Sequence, residues 1–380
     1  MPSPRLPRID HLDLLRGVAT LGILLMNSVD FGLGVPAYFR LDAGGWTSIP
    51  DKVVGVAAEV FVDEKMMGLF SMLFGASIVL FVERVGARRK HPVWLALWRN
   101  LLLLGMGIAH SLIWDGDVLT LYALCAPVVL ALRKLPARAL YAISAALFTA
   151  TTVLAVVTQA SVNRDGTEAL GWLWVSTDLE SGSDAVVGWF LFDGVARALG
   201  AMLIGVALYR SGVLTGKRTV EFYRRMTAIG FAIGLPLAVA GVVWQLASGF
   251  DPEVALTSGA LNTAAVIPIT LAYVGLILRW SLARPTGRAA ALQTRLRAVG
   301  QMALTNYLSQ TVLGVIAFSV VLDGESLGRA GLLLFVVSVW VLQLAWSKPW
   351  LARFTNGPVE WVWRCATYLR IEPLIKRARS

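Results

Sequence analysis

The residues best placed to do chemistry in this chain surround His110. It is followed within seven positions by Trp114, Asp115 and Asp117. A histidine held by a carboxylate is a general base, because the carboxylate fixes the ring tautomer and raises its basicity. His110, Asp115 and Asp117 are therefore candidate catalytic residues, with Asn27 as a candidate donor to an oxyanion. The spacing from His110 to Asp115 is not that of neighbours on a helix face. The intervening WDGD segment must fold back for Asp115 to reach the ring. A structural histidine bonded to a backbone carbonyl fits the same residues.

A second set is cationic. Arg16 and Asn27 are eleven positions apart, and so are Arg99 and His110. On a helix, eleven residues bring two side chains nearly onto one face, roughly 16 Å apart. Each pair thus sets a guanidinium near one end of a helix and a polar group near the other. Arg16 and Arg99 are candidate substrate-binding groups, suited to phosphate; arginines extending to lipid headgroups would look the same. Asp193 and Arg197 form an i,i+4 pair, either a substrate or proton site or an ion pair that fixes packing. Asn306 and Gln310, with Gln301, Thr305 and Ser309, put polar groups on one apolar helix. They are candidates for lining a cavity, or for joining helices by hydrogen bonds.

These residues are notable because of what surrounds them. The chain has 380 residues, 57% hydrophobic and 15% charged, where a soluble domain carries about 25% charged residues. It reads as an all-α polytopic membrane protein. A bilayer core needs about 20 apolar residues as helix. Ten stretches are expected to cross it: roughly 11–33, 64–84, 94–114, 117–133, 136–160, 185–209, 223–247, 258–280, 299–321 and 328–346. The first follows a basic N-terminus and continues without a small-residue cleavage site, so it is read as an uncleaved span.

The net charge of +10 does not indicate nucleic acid, because the basic residues fall between apolar runs. With the N-terminus cytoplasmic, one set of loops holds clusters such as Arg84, Arg88, Arg89 and Lys90, or Arg210, Lys217 and Arg218. The opposite loops hold only Arg40, Lys52, Lys65 and Arg164. This bias predicts an even number of spans with both termini cytoplasmic, in a bacterial inner membrane. Residues 1–346 form the expected bundle and 347–380 a cytoplasmic amphipathic segment, including a helix from Pro358 suited to the membrane surface. Residues 46–65 are amphipathic and are expected either to lie at the interface or to extend the second span.

Cys125 and Cys365 suit neither a disulfide nor a metal site. The sequence lacks Walker, HExxH and GxSxG motifs, so ATP coupling within this chain is excluded. The expected partners are membrane lipids and a small-molecule or lipid-like substrate. A homodimer is compatible with this reading.

Several segments carry a resemblance: LDLLRGVATLGILLMNS, MMGLFSMLFGASI, GIAHSLIWDGDVLTLYAL, ARALGAMLIGVALYRSGVL, VGQMALTNYLSQT and NGPVEWVWR. Together they identify the chain as a member of the YeiB-like family, domain of unknown function 418, whose members are often labelled as transporters. The first span also resembles that of transmembrane acyltransferases, including the lysosomal heparan glucosaminide acetyltransferase and sugar O-acyltransferases. Those sugar enzymes have an arginine, ten residues and a histidine there; this chain has Arg16, ten residues and Asn27. The resemblance implies acyl transfer from a cytoplasmic donor such as acyl-CoA to an acceptor at the outer side. The departure at Asn27 leaves His110 as the candidate base. The alternative reading is a secondary transporter or exporter of a small or lipid-like solute, centred on Asp193, Arg197 and the amides of the ninth span.

Overall fold

The computed structural model describes residues 9–174, 181–322 and 327–376. Among these the chain is helical, with no strand. In order, the helices are α1 (Asp10–Leu33), α2 (Pro36–Phe39), α3 (Ile49–Phe61), α4 (Lys65–Gly86), α5 (Pro92–Ser111), α6 (Leu119–Leu132) and α7 (Ala137–Asp165). They continue as α8 (Asp184–Arg210), α9 (Val220–Ala247), α10 (Ala255–Leu282), α11 (Gly287–Gln301), α12 (Ala303–Val315), α13 (Gly328–Arg353) and α14 (Pro358–Tyr368). Nine helices among the described residues are long and apolar enough to cross a bilayer, and α6 is a shorter apolar one. The protein is an all-α polytopic membrane protein, because only helices satisfy every backbone group internally while crossing lipid individually.

Without water to drive helices together, close approach of small residues does much of the packing. Helices α4 and α8 meet at Gly75 and Gly205. A Cβ on Gly75 would stand 2.2 Å from the Met202 carbonyl oxygen, and one on Gly205 would stand 1.9 Å from that of Met72. Helices α1 and α11 meet in the same way. A Cβ on Gly17 would lie 1.9 Å from the Leu296 carbonyl oxygen, and one on Gly300 would lie 1.9 Å from that of Asp13.

Three elements differ from the expected spans. The stretch 299–321 is not one helix. Helix α11 ends at Gln301, the chain bends at Met302 (φ −114°, ψ 30°), and α12 continues into a π-helical turn over Ile316–Val321. Gln301 and Thr305 therefore do not share a helix face. Within residues 46–65 a separate helix, α3, runs from Ile49 to Phe61, capped by Ser48 and divided from α4 by Glu64 in the left-handed conformation (φ 62°). Helix α13 runs past 346 to Arg353, through Pro349. The chain after α14 returns to it: Thr355 N–H donates to Leu374 O at 2.8 Å and Lys376 N–H to Arg353 O at 3.0 Å.

The α4–α8 contact can be tested on one helix. Gly205→Ala should lower the melting temperature in detergent, because overpacking a fixed backbone contact costs about 1–3 kcal/mol. Gly188→Ala, also on α8 but with nothing within 4 Å of the added Cβ, should leave it unchanged.

Candidate functional site

The α5–α6 turn folds back and brings Asp117 to His110. His110 Nδ1 and Asp117 Oδ1 are 2.8 Å apart, with both side chains buried. Asp117 Oδ2 accepts the Thr120 backbone N–H at 2.8 Å, in the first turn of α6. The carboxylate is held at both oxygens. An ionised carboxylate only accepts, so with Asp117 ionised Nδ1 carries a ring proton, and in the neutral ring Nε2 then presents a lone pair. Among the described residues Nε2 is buried without a hydrogen-bond partner. Gly107 makes the hairpin this tight: a Cβ there would lie 2.9 Å from Asp117 Oδ2 and 2.6 Å from Thr120 N. Asp115, the other expected partner, is exposed in the turn. The two extra residues to Asp117 are what return the chain to the ring.

Aromatic rings enclose the pair. Tyr307 of α12 and Trp114 stand 5.4 and 6.0 Å from the His110 ring centre. Trp114 Nε1 donates to Asp30 Oδ2 at 2.5 Å, which ties the turn to the last full turn of α1. Burial first, then the negative charges of Asp30 and Asp63, push the Tyr38 phenol well above its ordinary range. Tyr38 therefore stays protonated and able to donate.

A cavity of about 770 Å³ lies at the end of the bundle that holds the N-terminus of α1. Arg16 and Arg99 both line it, as do Arg84, Arg88, Arg89, Arg364 and Arg370, against three carboxylates: Asp13, Glu360 and Glu372. Arg16 pairs with Asp13 at 3.1 Å and donates to Ser77 Oγ at 2.9 Å. The Arg99 guanidinium lies 3.5 Å from the centre of the Trp363 ring and 4.9 Å from that of Phe81. Such stacking orients a guanidinium while leaving its N–H groups to donate. The cavity is also lined by apolar groups of Leu103, Val118 and Leu304 and by Tyr307. The Tyr307 hydroxyl accepts the Val118 N–H at 3.3 Å, which leaves its own proton to donate.

Helix α14 closes one side of this cavity, and Glu360 holds it there. One Glu360 oxygen accepts the backbone N–H groups of Leu304 (2.8 Å) and Thr305 (3.1 Å), and the other accepts the Thr305 hydroxyl at 2.5 Å. These N–H groups are left open where the chain breaks at Met302, as at any helix start. Burial pushes the Glu360 carboxyl up, opposed by the bonds it accepts. Gly357 makes room for it, since a Cβ there would lie 2.2 Å from Glu360 Oε2.

The remaining candidates lie elsewhere. Arg197 pairs with Asp193 and also with Glu64 at the α3–α4 elbow, and Thr151 of α7 donates to Asp193. Beside them the fully buried Lys65 donates to the Glu59 carbonyl at 2.5 Å and to the Asn262 side chain. Asn306 and Gln310 are in the seam of α1, α12 and α13. Asn306 donates to Val299 O at 3.1 Å and accepts from Trp346 at 2.9 Å. Gln310 donates to Thr20 O at 3.1 Å and Gln343 Oε1 at 3.0 Å. Neither lines the basic cavity. Asn27 is buried on α1 (4% exposed), one turn before Asp30. Asp30, Tyr307 and Glu360 were not among the expected site residues. Asp30 was the most accessible of them from sequence, being an ionisable residue within an apolar span.

The fold and its internal polar sites define a polytopic helical membrane protein. The chain belongs to the YeiB-like family. The family described as "Protein of unknown function (DUF418)" matches residues 208–370. The chain is 32% identical to "Uncharacterized protein YeiB" of Escherichia coli (strain K12), over 96% of this chain and 98% of that protein. It is 29% identical to "Uncharacterized protein YxaH" of Bacillus subtilis (strain 168), over 98% of this chain and 97% of that protein. A protein of Bacillus acidopullulyticus, "Uncharacterized 39.9 kDa protein in amylase 3'region", is 27% identical over 98% and 97% of the two chains.

Two outcomes follow from this geometry. Nitrogen-15 spectra of labelled histidine should show the Nδ1–H tautomer for His110, and Asp117→Asn should admit the Nε2–H form. Glu360→Ala should expose the 354–376 segment to limited proteolysis, because losing a helix cap costs about 0.5–2 kcal/mol.

Proposed function

We propose that this protein is a membrane acyltransferase, moving an acyl group from a cytoplasmic donor to an acceptor at the outer side of a bacterial inner membrane. One observation carries the reading: Tyr307 lines the basic cavity, and its ring stands 5.4 Å from that of His110, which lies behind it and outside the lining. The charge bias supports an orientation with both termini, and hence the basic cavity, on the cytoplasmic side. Acyl-CoA is the proposed donor. The volume lies within the range of small-molecule sites, and the arginines suit phosphate groups.

In the proposed step, Nε2 of His110 removes a proton from an acceptor hydroxyl or amine as that atom bonds to the thioester carbonyl carbon. The carbonyl electron pair moves onto its oxygen, where the Tyr307 hydroxyl donates a hydrogen bond. Collapse of the intermediate breaks the carbon–sulfur bond, and the leaving thiolate takes the proton back from His110. Asp117 holds the ring and stabilises its cationic form. In this reading Tyr307 takes the oxyanion role for which the sequence offers Asn27.

The test uses purified protein in nanodiscs. Arg16→Gln and Arg99→Gln should each weaken binding of coenzyme A about tenfold or more, as charge-assisted hydrogen bonds are worth about 1.5–3 kcal/mol. His110→Ala should keep that binding and lose transfer of a radiolabelled acyl group to membrane acceptors. Wild-type protein that neither binds coenzyme A nor yields acylated product overturns the reading. A second reading, transport of a small or lipid-like solute, has the buried Glu64–Arg197–Asp193 triad in its favour. It predicts solute counterflow that Arg197→Gln abolishes and His110→Ala does not.

A further inference from the structure

A second concavity, of about 540 Å³, lies outside the basic cavity between the start of α5 and the end of α14. Arg89, Lys90 and His91 line its polar side, and Trp94, Trp98 and Leu369 its apolar side. Trp94 is 72% exposed and Leu369 80% exposed. Large apolar groups so open to the surroundings, directly beside the end of an apolar span, fit a lipid interface better than water. Trp98 is anchored by its Nε1 to the Ala366 carbonyl at 3.2 Å, so the groove wall is fixed by a contact between its two helices.

From this we propose that the groove is a binding site for one anionic phospholipid. The lipid phosphate meets Arg89 and Lys90, with His91 as a further donor, and the start of its acyl chain lies against Trp94, Trp98 and Leu369. Charge complementarity selects this occupant: a basic pocket between helices beside exposed aromatic rings matches a negative headgroup with an apolar tail. A zwitterionic lipid gains far less from the same cations.

The site has a consequence for its neighbour. Arg89 and Tyr368 line both concavities, with the Arg89 guanidinium 5.1 Å from the Tyr368 ring centre. One cation therefore serves two anion sites. A phosphate bound in the groove draws Arg89 away from the cavity, and an anion in the cavity does the reverse, so the two sites oppose one another reciprocally.

The experiment is native mass spectrometry of the full chain released from nanodiscs of phosphatidylcholine and phosphatidylglycerol, with phosphatidylglycerol carrying brominated chains in a parallel tryptophan-fluorescence titration. Wild type should retain phosphatidylglycerol in preference to phosphatidylcholine, and brominated chains should quench its fluorescence. Surface cations contribute about fivefold each, so the double variant Arg89→Gln, Lys90→Gln should cut the preference more than tenfold. Trp94→Phe should lower the quenching measurably with the preference retained. Arg224→Gln, Arg225→Gln removes two exposed cations paired with Glu221 elsewhere. That control should leave the preference intact. Equal retention of both lipids, or an equal loss in the control, overturns the proposal and leaves only unspecific attraction to the basic end. None of these readouts depends on acyl transfer.

Discussion

The backbone contact between α1 and α11 sets the architecture of the basic end. Gly17 and Gly300 bring two helices so close that no side chain fits between them. Just beyond this contact the chain turns at Met302 and starts a new helix with open N–H groups. Glu360 takes two of them, and that places α14. Helix α14 then supplies the Trp363 face on which Arg99 lies, and one side of the cavity. The cavity is thus a downstream product of two glycines on other helices.

The polar residues inside the bundle divide by how completely they are satisfied. The amides of α12 and α13 bond one another, the backbone of α1 and the Trp346 indole. They join helices whose apolar surfaces have little reason to prefer each other over lipid. His110 has one ring nitrogen fixed and the other unpartnered among the described residues; Gln310 Oε1 is unpartnered too, but an amide oxygen is no base, whereas an imidazole nitrogen is. Arg89, Arg99 and Arg364 differ again, lining open volume with aromatic rings beside them. These three conditions separate structural polarity from polarity suited to a ligand.

Much of the layout was legible in the sequence. Span lengths are imposed by bilayer thickness, so apolar runs locate the crossing helices without reference to contacts. The Arg16 and Arg99 spacing placed both at one end because helical rise is nearly constant. The break at Met302 was not legible: it falls among the first residues of the apolar run, and the bend is set by contacts that its flanking residues make with Gly17 and Glu360, both distant in the chain. The choice of Asp117 over Asp115 was also hidden, because both lie in the same turn and only its fold-back reaches the ring. Glu360 looked like part of a surface helix, since amphipathicity does not reveal whether a polar face meets water or another helix.

The return of the chain along α13 after α14 gives the C-terminal region a mechanical role. Arg364, Arg370 and Glu372 are wall residues of the basic cavity, and backbone bonds from Thr355 and Lys376 tie that wall to its own chain. A bulky label joined at residue 376 would start three residues from Pro373, which lines the cavity. Its bulk and charge act there directly, and because the start of α1 lines the same cavity, a loop at the far end of the bundle is the better place for a label.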